Sequence, residues 1–180
     1  MLILASKSPR RKELIKKITN EEIQIIPSNI DESKTHAPAE ELPGVLSKLK
    51  AQDIFSSHPN DKILACDTIV VLDGEIMGKP HTIENAKIML KKLSGKKHLV
   101  ISGWTLINKE KSITRCVQTE VYFNVLSDEL IDRYIATGSP MDKAGAYGIQ
   151  DKEFKLVSHI NGSMDNVIGL PTEDIIKHWF

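Results

Sequence analysis

The hydrophobic pattern alternates between short apolar runs and amphipathic helical repeats, which predicts an α/β protein. Apolar runs predict strands at residues 2–5, 23–27, 62–73, 98–107, 113–126 and 154–160. Helical periodicity predicts helices from residue 9 to 18, from about residue 40, and over residues 82–95, 127–138 and 173–179. The pattern places Ile83 on the inward face of the 82–95 helix, and it places Val125 on the same face of the 113–126 strand as Val121 and Phe123. The dipeptides Asp73-Gly74 and Asn161-Gly162 predict hairpin turns.

The start of the first helix carries an unusual charge pattern. Ser8 is placed to cap the helix, and Pro9 suits its first position. Residues 10–12 are Arg, Arg and Lys, although a helix start favours acidic side chains. A bound phosphate would resolve this conflict through backbone N–H groups, guanidinium groups and the hydroxyls of Ser6 and Ser8. The alternative is that the arginines face solvent or pair with carboxylates elsewhere.

Asp67 interrupts the continuous apolar run at residues 62–73. Such runs are typical of strands covered on both faces, where an unpaired carboxylate is costly. Asp67 must therefore lie at a strand end, bind a metal or cation, or be hydrogen-bonded by its neighbours. The Asp73-Gly74 turn is expected to bring Lys79 near this hairpin.

The loop at residues 139–150 is rich in glycine and contains one aromatic residue. Gly145 and Gly148 permit close approach of the backbone to a ligand, and Tyr147 offers a flat face or a hydroxyl. The alternative is a well-packed surface loop.

Composition places few limits on the partner. The chain has 180 residues, enough for one domain or two small lobes sharing a cleft, and 24 basic residues balance 24 acidic ones. We therefore expect neither a nucleic-acid nor a membrane partner. Cys66 and Cys116 are far apart, and no apolar run approaches membrane-spanning length, so we expect reduced thiols in a cytoplasmic protein.

Four polar clusters interrupt the α/β pattern, at residues 6–11, 31–32, 67–79 and 142–150. Their cations suit a polyphosphate, while Glu32 and Asp67 suit a divalent metal or a base that activates water. Together they indicate nucleotide phosphohydrolysis. The motifs GxxxxGK[ST], GxGxxG and GxSxG are all missing from the sequence, which argues against a P-loop enzyme, a dinucleotide site and a hydrolase elbow.

Five segments carry a family resemblance. They are LASKSPRRKEL, ACDTIVVLDGEIMGKP, LSGKKHLVISG, SPMDKAGAYGIQ and NVIGLP. In order and spacing they resemble the signature blocks of the Maf family of nucleoside triphosphate pyrophosphatases. The blocks span nearly the whole chain, so the resemblance implies one Maf-like domain over residues 1–180.

The resemblance implies a fold and a reaction. The expected fold is a mixed, twisted α/β sheet with flanking helices, in two lobes around a deep cleft, similar to that of inosine triphosphate pyrophosphatases. The expected reaction cleaves a nucleoside triphosphate between its α- and β-phosphates with a divalent cation, Mg²⁺ or Mn²⁺. The family is often dimeric, so a homodimer is expected.

The resemblance also assigns roles to residues. Asp67 matches the proton acceptor, and Glu32 and Asp67 are the expected metal ligands. The remaining catalytic positions are Lys50 and Lys79, which match residues that line the phosphate and metal end of the site. The substrate-binding positions are Ser6, Arg10, Arg11, Thr68 and Gln150, and three of them, Arg10, Thr68 and Gln150, match positions associated with substrate choice. Lys50 precedes Ala51 as in the family's Lys-Ala step, and Lys48 is the alternative.

The DKAGAYGIQ form resembles the branch that acts on dTTP and UTP. The Gln150 amide can pair with N3–H and O4 of thymine or uracil, but a flipped amide would serve cytosine equally well. Asp151 stands where a glycine is expected, and Ser102-Gly103-Trp104 replaces smaller residues. These departures allow a wider range that includes modified pyrimidine nucleotides. A competing expectation is a non-enzymatic, nucleotide-binding regulator of septum formation in cell division.

Overall fold

The computed structural model describes residues 1–179. Within them, seven strands and six helices follow in this order: β1 (Leu2–Leu4), α1 (Pro9–Leu14), β2 (Ile23–Ile25), α2 (Leu42–Ser57), β3 (Lys62–Leu72), β4 (Glu75–Met77), α3 (Ile83–Leu93), β5 (Lys97–Ile107), β6 (Ser112–Phe123), α4 (Asp128–Ala136), β7 (Val157–Asn161), α5 (Met164–Ile168) and α6 (Thr172–Trp179). Among these helices none has the length and apolar character needed to cross a membrane.

The strands form one mixed sheet in the order β2-β1-β3-β5-β6-β7, with β4 paired to β3. Strand β1 runs parallel to both β2 and β3, whereas the β3/β4 and β6/β7 pairs are antiparallel. The predicted mixed α/β sheet with flanking helices is confirmed. Contacts divide the chain into a first unit, residues 1–68, 101–117 and 165–179, and a second unit, residues 69–100 and 118–164.

Trp104 lies in the core of the first unit. Its side chain is fully buried in a cluster that includes Leu4, Leu64 and Ile175. The indole Nε1–H donates to the Asp174 carboxylate at 2.9 Å, which satisfies the one polar atom of the ring. The bulky side chain that the sequence placed beside two small residues therefore fills core.

The N-terminus of α2 lies directly against β5 at Gly103. A Cβ atom at this position would lie 2.1 Å from the Gly44 nitrogen and 2.1 Å from the Pro43 carbonyl carbon. Both neighbours are backbone atoms, so no rotamer change can relieve the overlap. Glycine at 103 therefore sets the distance between helix α2 and the sheet of this unit.

In the second unit helix α3 packs against α4, and the side chains of Ala86, Leu90 and Ile131 on these helices are buried. His98, near the start of β5, is also buried, and its Nε2 is 2.7 Å from the hydroxyl of Tyr147. The His98 and Tyr147 rings meet edge to face. Within the described residues, the other ring nitrogen of His98 makes no hydrogen bond.

Three details of the sequence prediction are wrong. Asn161-Gly162 does not close a hairpin, because β7 pairs with the preceding β6 and the chain then enters α5. Val125 is 86% exposed, because β6 ends at Phe123 and the alternation of inward and outward side chains ends with the strand. Ile83 is exposed rather than inward-facing, because it opens the first turn of α3.

We expect Gly103→Ala to lower the free energy of unfolding by about 3 kcal/mol, because the new methyl group must displace the backbone of α2. Urea unfolding followed by circular dichroism measures this. Gly78→Ala is the matched control, since a Cβ there meets nothing within 4 Å and should change stability by less than about 0.5 kcal/mol. Equal stability of the two variants would contradict the close approach.

Acid should destabilise the second unit through His98. Burial lowers the pKa of His98 from 6.5 to about 4, so its contribution to stability is present above pH 6.5 and lost as the pH falls to 4. The loss amounts to about 3 kcal/mol. We expect His98→Gln to lose less stability than the wild type between pH 7 and pH 4.5 in urea titrations. Exposed His36→Gln is the control and should follow the wild type.

Candidate active site

The loop between β1 and α1 is built from two serines. Ser8 caps the helix, as predicted, by accepting the backbone N–H of Arg11, and Pro9 occupies the first helical position. Ser6 is buried, and its Oγ accepts the backbone N–H of Ser8 at 3.2 Å. The loop is therefore fixed by its own hydroxyls, and the side chains of Arg10 and Arg11 leave from a defined helix start.

Arg11 is held by three oxygens that carry no charge. Its Nε donates to the Gly169 carbonyl at 2.8 Å, and its Nη2 donates to Thr68 Oγ1 at 3.0 Å. Its Nη1 donates to Ser6 Oγ at 3.3 Å. Because none of these acceptors is a carboxylate, they orient the guanidinium without cancelling its positive charge. Arg10 is half-buried beside it.

The carbonyl that orients Arg11 is itself fixed by Asp165. The Asp165 backbone carbonyl accepts the N–H groups of Gly169 and Leu170, both at 3.0 Å. The Asp165 carboxylate accepts Lys17 Nζ at 2.8 Å and the hydroxyl of Thr172. Sequence reasoning did not single out Asp165 or Gly169. The available signal was the NVIGLP segment, which ends a five-residue helix at a glycine.

Asp67 lies inside strand β3, with 13% of its side chain exposed, and not at a strand end. Its Oδ1 accepts Lys50 Nζ, from helix α2, at 2.8 Å. The same ammonium lies 2.8 Å from Oε1 of Glu32. Of the options that the sequence left open, a cation partner is therefore the one observed. Lys50 is the lysine that meets Asp67, whereas Lys48 is exposed.

Burial alone would lower the pKa of Lys50, but attraction to Asp67 and hydrogen bonds to both carboxylates outweigh it and raise the pKa. Lys50 is therefore a charged ammonium at neutral pH. Because one ammonium faces two carboxylates, the cluster of Glu32, Lys50 and Asp67 carries an excess of negative charge. A polyphosphate approaching it would be repelled unless another cation were present.

The loop that carries Glu32 is anchored to α2. Asp53 Oδ2 accepts the hydroxyl of Ser28 at 2.7 Å and the backbone N–H of Asn29 at 3.3 Å. Asp31 accepts the backbone N–H of Ser33, which starts the short helical turn Glu32–Lys34. Glu32 is half-exposed, so its carboxylate faces both Lys50 and solvent.

Glu32 and Asp67 have the donor chemistry that a hard divalent cation requires. Magnesium in nucleotide sites is commonly held by one or two carboxylates, with phosphate oxygens and water completing its shell. Among residues 1–179 there is no group of three or more Asp, Glu, His or Cys side chains arranged as metal ligands. Two carboxylates are the number of protein ligands that such a nucleotide-bound cation commonly has.

Lys79 and Gln150 lie in the second unit. Lys79 is exposed on the turn after β4, and this turn is tied to the glycine-rich loop by a hydrogen bond from Gly145 N–H to the Gly78 carbonyl at 3.1 Å. Gln150 is also exposed. Tyr147, in contrast, is buried and bonded to His98, so it is a core residue and not a face for a ligand.

The first unit thus brings six of the predicted site residues into one network of contacts. They are Ser6, Arg11, Glu32, Lys50, Asp67 and Thr68, in two groups joined through the adjacent residues Asp67 and Thr68. Ser102 was missed as part of it, and its Oγ lies 2.8 Å from Thr68 Oγ1.

Comparison with known proteins identifies the family of the chain. Residues 1–178 match the family profile described as Maf-like protein. The chain belongs to the Maf-like family. The family resemblance carried by the five sequence segments is confirmed.

Several relatives within the Maf-like family share most of their length with the chain. Proteins named dTTP/UTP pyrophosphatase from Thermosipho africanus and Pyrococcus abyssi are 48% and 44% identical, over 99% and 98% of this chain and 90% and 94% of their own. A protein of the same name from Bacillus cytotoxicus is 42% identical over 97% of this chain and 92% of its own length.

A solved structure shares the fold of this Maf-like protein. The Staphylococcus aureus Ham1 protein superposes with a TM-score of 0.51 at 14% sequence identity, covering 86% of this chain and 90% of that one. At this identity the likeness concerns the fold alone.

We expect Lys50→Met to lower the free energy of unfolding by about 3 kcal/mol at pH 7, because it leaves the buried Asp67 carboxylate without its cation. Urea titrations at pH 7 measure this. Lys48→Met removes an exposed lysine from the same helix and is the control. A Lys50 variant as stable as the Lys48 variant at pH 7 would contradict the buried pairing.

Proposed function

We propose that this Maf-like protein is a nucleoside triphosphate pyrophosphatase that converts dTTP and UTP to the monophosphate and pyrophosphate. The observation that carries the proposal is the cluster of Glu32, Lys50 and Asp67, contiguous with the oriented Arg11. Relatives named dTTP/UTP pyrophosphatase that match almost the whole chain support the substrate assignment.

The loop between β1 and α1 binds the phosphates in this proposal. Arg11 keeps an uncancelled charge in a fixed orientation, and Arg10 and Ser6 adjoin it. Guanidinium groups bind phosphate oxygens through paired N–H bonds, and fixed donors stabilise the charge that develops on a leaving pyrophosphate. Lys79 is given the phosphate-binding role that the family motif assigns to its position.

Glu32 and Asp67 would hold the divalent cation, Mg²⁺ or Mn²⁺, together with the phosphates. When bound, the cation supplies the positive charge that the cluster lacks and polarises the phosphoryl group. This accounts for two carboxylates at a site that must accept a polyanion.

The proton of the attacking water goes to Asp67. Water oxygen bonds to the α-phosphorus, the bond from that phosphorus to the bridging oxygen breaks, and pyrophosphate leaves with the bonding electrons. Lys50 stays charged and holds the Asp67 carboxylate in place through its 2.8 Å contact with Oδ1. Asp67 is the base because it is the buried carboxylate, whereas Glu32 is half-exposed.

Base selection is assigned to Gln150, whose amide complements N3–H and O4 of uracil and thymine. Its side chain is exposed and free to meet a base at the surface of the second unit. Thr68 keeps the substrate-choice role that the family motif gives it.

The proposed activity is tested by measuring pyrophosphate release from dTTP, UTP, CTP, dCTP, GTP, 7-methyl-GTP and ATP, with Mg²⁺, with Mn²⁺ and with chelator. We expect release mainly from dTTP and UTP, and only with a metal. Pyrophosphate release from triphosphates of other bases would support the proposed reaction and contradict the proposed specificity. Nucleotide binding without pyrophosphate release would favour the alternative, a non-enzymatic nucleotide-binding regulator.

We expect Asp67→Asn to lower kcat at least about 100-fold, because the amide cannot accept the proton of the attacking water. Binding of dTTP, measured by calorimetry, should persist or tighten because a negative charge is removed. Asp132→Asn is the control, since Asp132 lies in an exposed ion pair with Lys87, and its kcat should match the wild type. Unchanged turnover in Asp67→Asn would remove the base role from this residue.

A further inference from the structure

The segment that carries Gln150 is a tight turn. The backbone N–H of Asp151 donates to the Gly148 carbonyl at 3.1 Å, so Ile149 and Gln150 are the two central residues of a four-residue turn. The position and direction of the Gln150 side chain therefore depend on how firmly Gly148 and Asp151 are held.

Both corners of this turn are bound to one buried hydroxyl. Tyr134 OH donates to Asp151 Oδ2 at 2.6 Å and accepts the backbone N–H of Gly148 at 2.9 Å. The tyrosine side chain lies on helix α4 and is fully buried. Burial, together with the bond to Asp151, raises the pKa of Tyr134, so the hydroxyl stays protonated and able to donate.

A second anchor reaches the same carboxylate from the start of the loop. Ser139 Oγ donates to Asp151 Oδ2 at 2.6 Å, and Lys143 Nζ donates to the Ser139 carbonyl at 2.6 Å. A Cβ at Gly148 would lie 2.8 Å from Lys143 Cε and 3.2 Å from Asp151 Oδ2. The loop is thus closed on itself around the Asp151 carboxylate, and a side chain at Gly148 would have to displace that of Lys143.

The residue at the centre of this arrangement is the one at which the sequence departs from the family block. The backbone of Asp151 has φ −81°, a conformation that any residue adopts, so the turn does not require glycine there. What the aspartate adds is its carboxylate, and that carboxylate is the acceptor for both anchors. Aspartate in place of glycine therefore adds hydrogen bonds that hold the turn, without requiring a different backbone conformation.

We propose that Asp151 is a positioning residue for base selection. Through Tyr134 and Ser139 it holds the 148–151 turn rigid, so that Gln150 meets a pyrimidine from one fixed backbone position. A side chain that is already placed loses less freedom on binding, and a fixed donor and acceptor discriminate more sharply between O4 of uracil and the amino group of cytosine. This inference rests on the proposed function and concerns its specificity, and Asp151 takes no part in the chemistry.

The test compares specificity ratios, which a general loss of stability would leave unchanged. Pyrophosphate release gives kcat/KM for dTTP and dCTP in the wild type, Asp151→Ala, Asp151→Asn, Tyr134→Phe and the double variant Asp151→Ala/Tyr134→Phe. We expect the dTTP to dCTP ratio to fall about fivefold or more in Asp151→Ala and in Tyr134→Phe, the size expected for one lost hydrogen bond. The double variant should fall no further than the worse single variant, because the two residues act in one network.

Two variants serve as references. Asp151→Asn keeps an oxygen that accepts from Tyr134, and its ratio should lie nearer that of the wild type. Asp132→Ala removes an aspartate from the exposed side of α4, where it is 58% exposed and pairs with Lys87, and its ratio should equal that of the wild type. Amide hydrogen exchange at residues 148–151 should accelerate in Asp151→Ala and not in Asp132→Ala.

The outcomes separate the two proposals. If the wild type releases pyrophosphate from dTTP, and the dTTP to dCTP ratio is unchanged in Asp151→Ala and Tyr134→Phe, the positioning role is wrong. The proposed function is then unaffected. A wild type that hydrolyses no nucleoside triphosphate overturns both. A fall in the ratio in these two variants, with kcat for dTTP largely retained, supports the positioning role.

Discussion

A single ammonium group makes the candidate site possible. Asp67 is a carboxylate inside a strand whose other residues are almost all buried, and such a group is costly without a compensating charge. Lys50 provides that charge from helix α2 and shares it with Glu32. The placement of α2 therefore decides whether β3 can contain Asp67 at all, and this placement depends on the close contact between Gly103 and the helix start. The absence of a side chain at Gly103 thus allows the cluster of Glu32, Lys50 and Asp67 to form.

The sequence predicted the elements well where one pattern sufficed. The apolar run identified β3 and marked Asp67 as an anomaly, and the serine and proline at residues 8 and 9 identified the start of α1. The errors at Val125 and Ile83 arose because the hydrophobic periodicity of a strand or helix was extended to or beyond its end. Burial at an element's end depends on what packs there, and periodicity carries no information about that.

The contacts that organise the site were not predictable in the same way, because they join distant parts of the chain. Arg11 is oriented by a carbonyl 158 residues away, and Asp151 is held by a tyrosine 17 residues before it. The local sequence pattern shows that an arginine is unusual at a helix start or that a glycine is replaced. It does not identify the hydrogen-bonding partner of such a residue, because the packing of whole helices and strands determines that partner. The two departures from the family pattern consequently have opposite meanings: Trp104 is core, whereas Asp151 holds a turn.

The hydroxyl of Thr68, beside Arg11, has its proton committed to the protein. If Ser102 Oγ donates to the Asn166 carbonyl at 3.1 Å, Thr68 is the donor at the 2.8 Å contact between the two hydroxyls. If Ser102 donates to Thr68 instead, the Thr68 hydroxyl donates to the Gly169 carbonyl at 3.4 Å. In both arrangements Thr68 also accepts an N–H from Arg11, so it has no hydrogen to offer an incoming molecule.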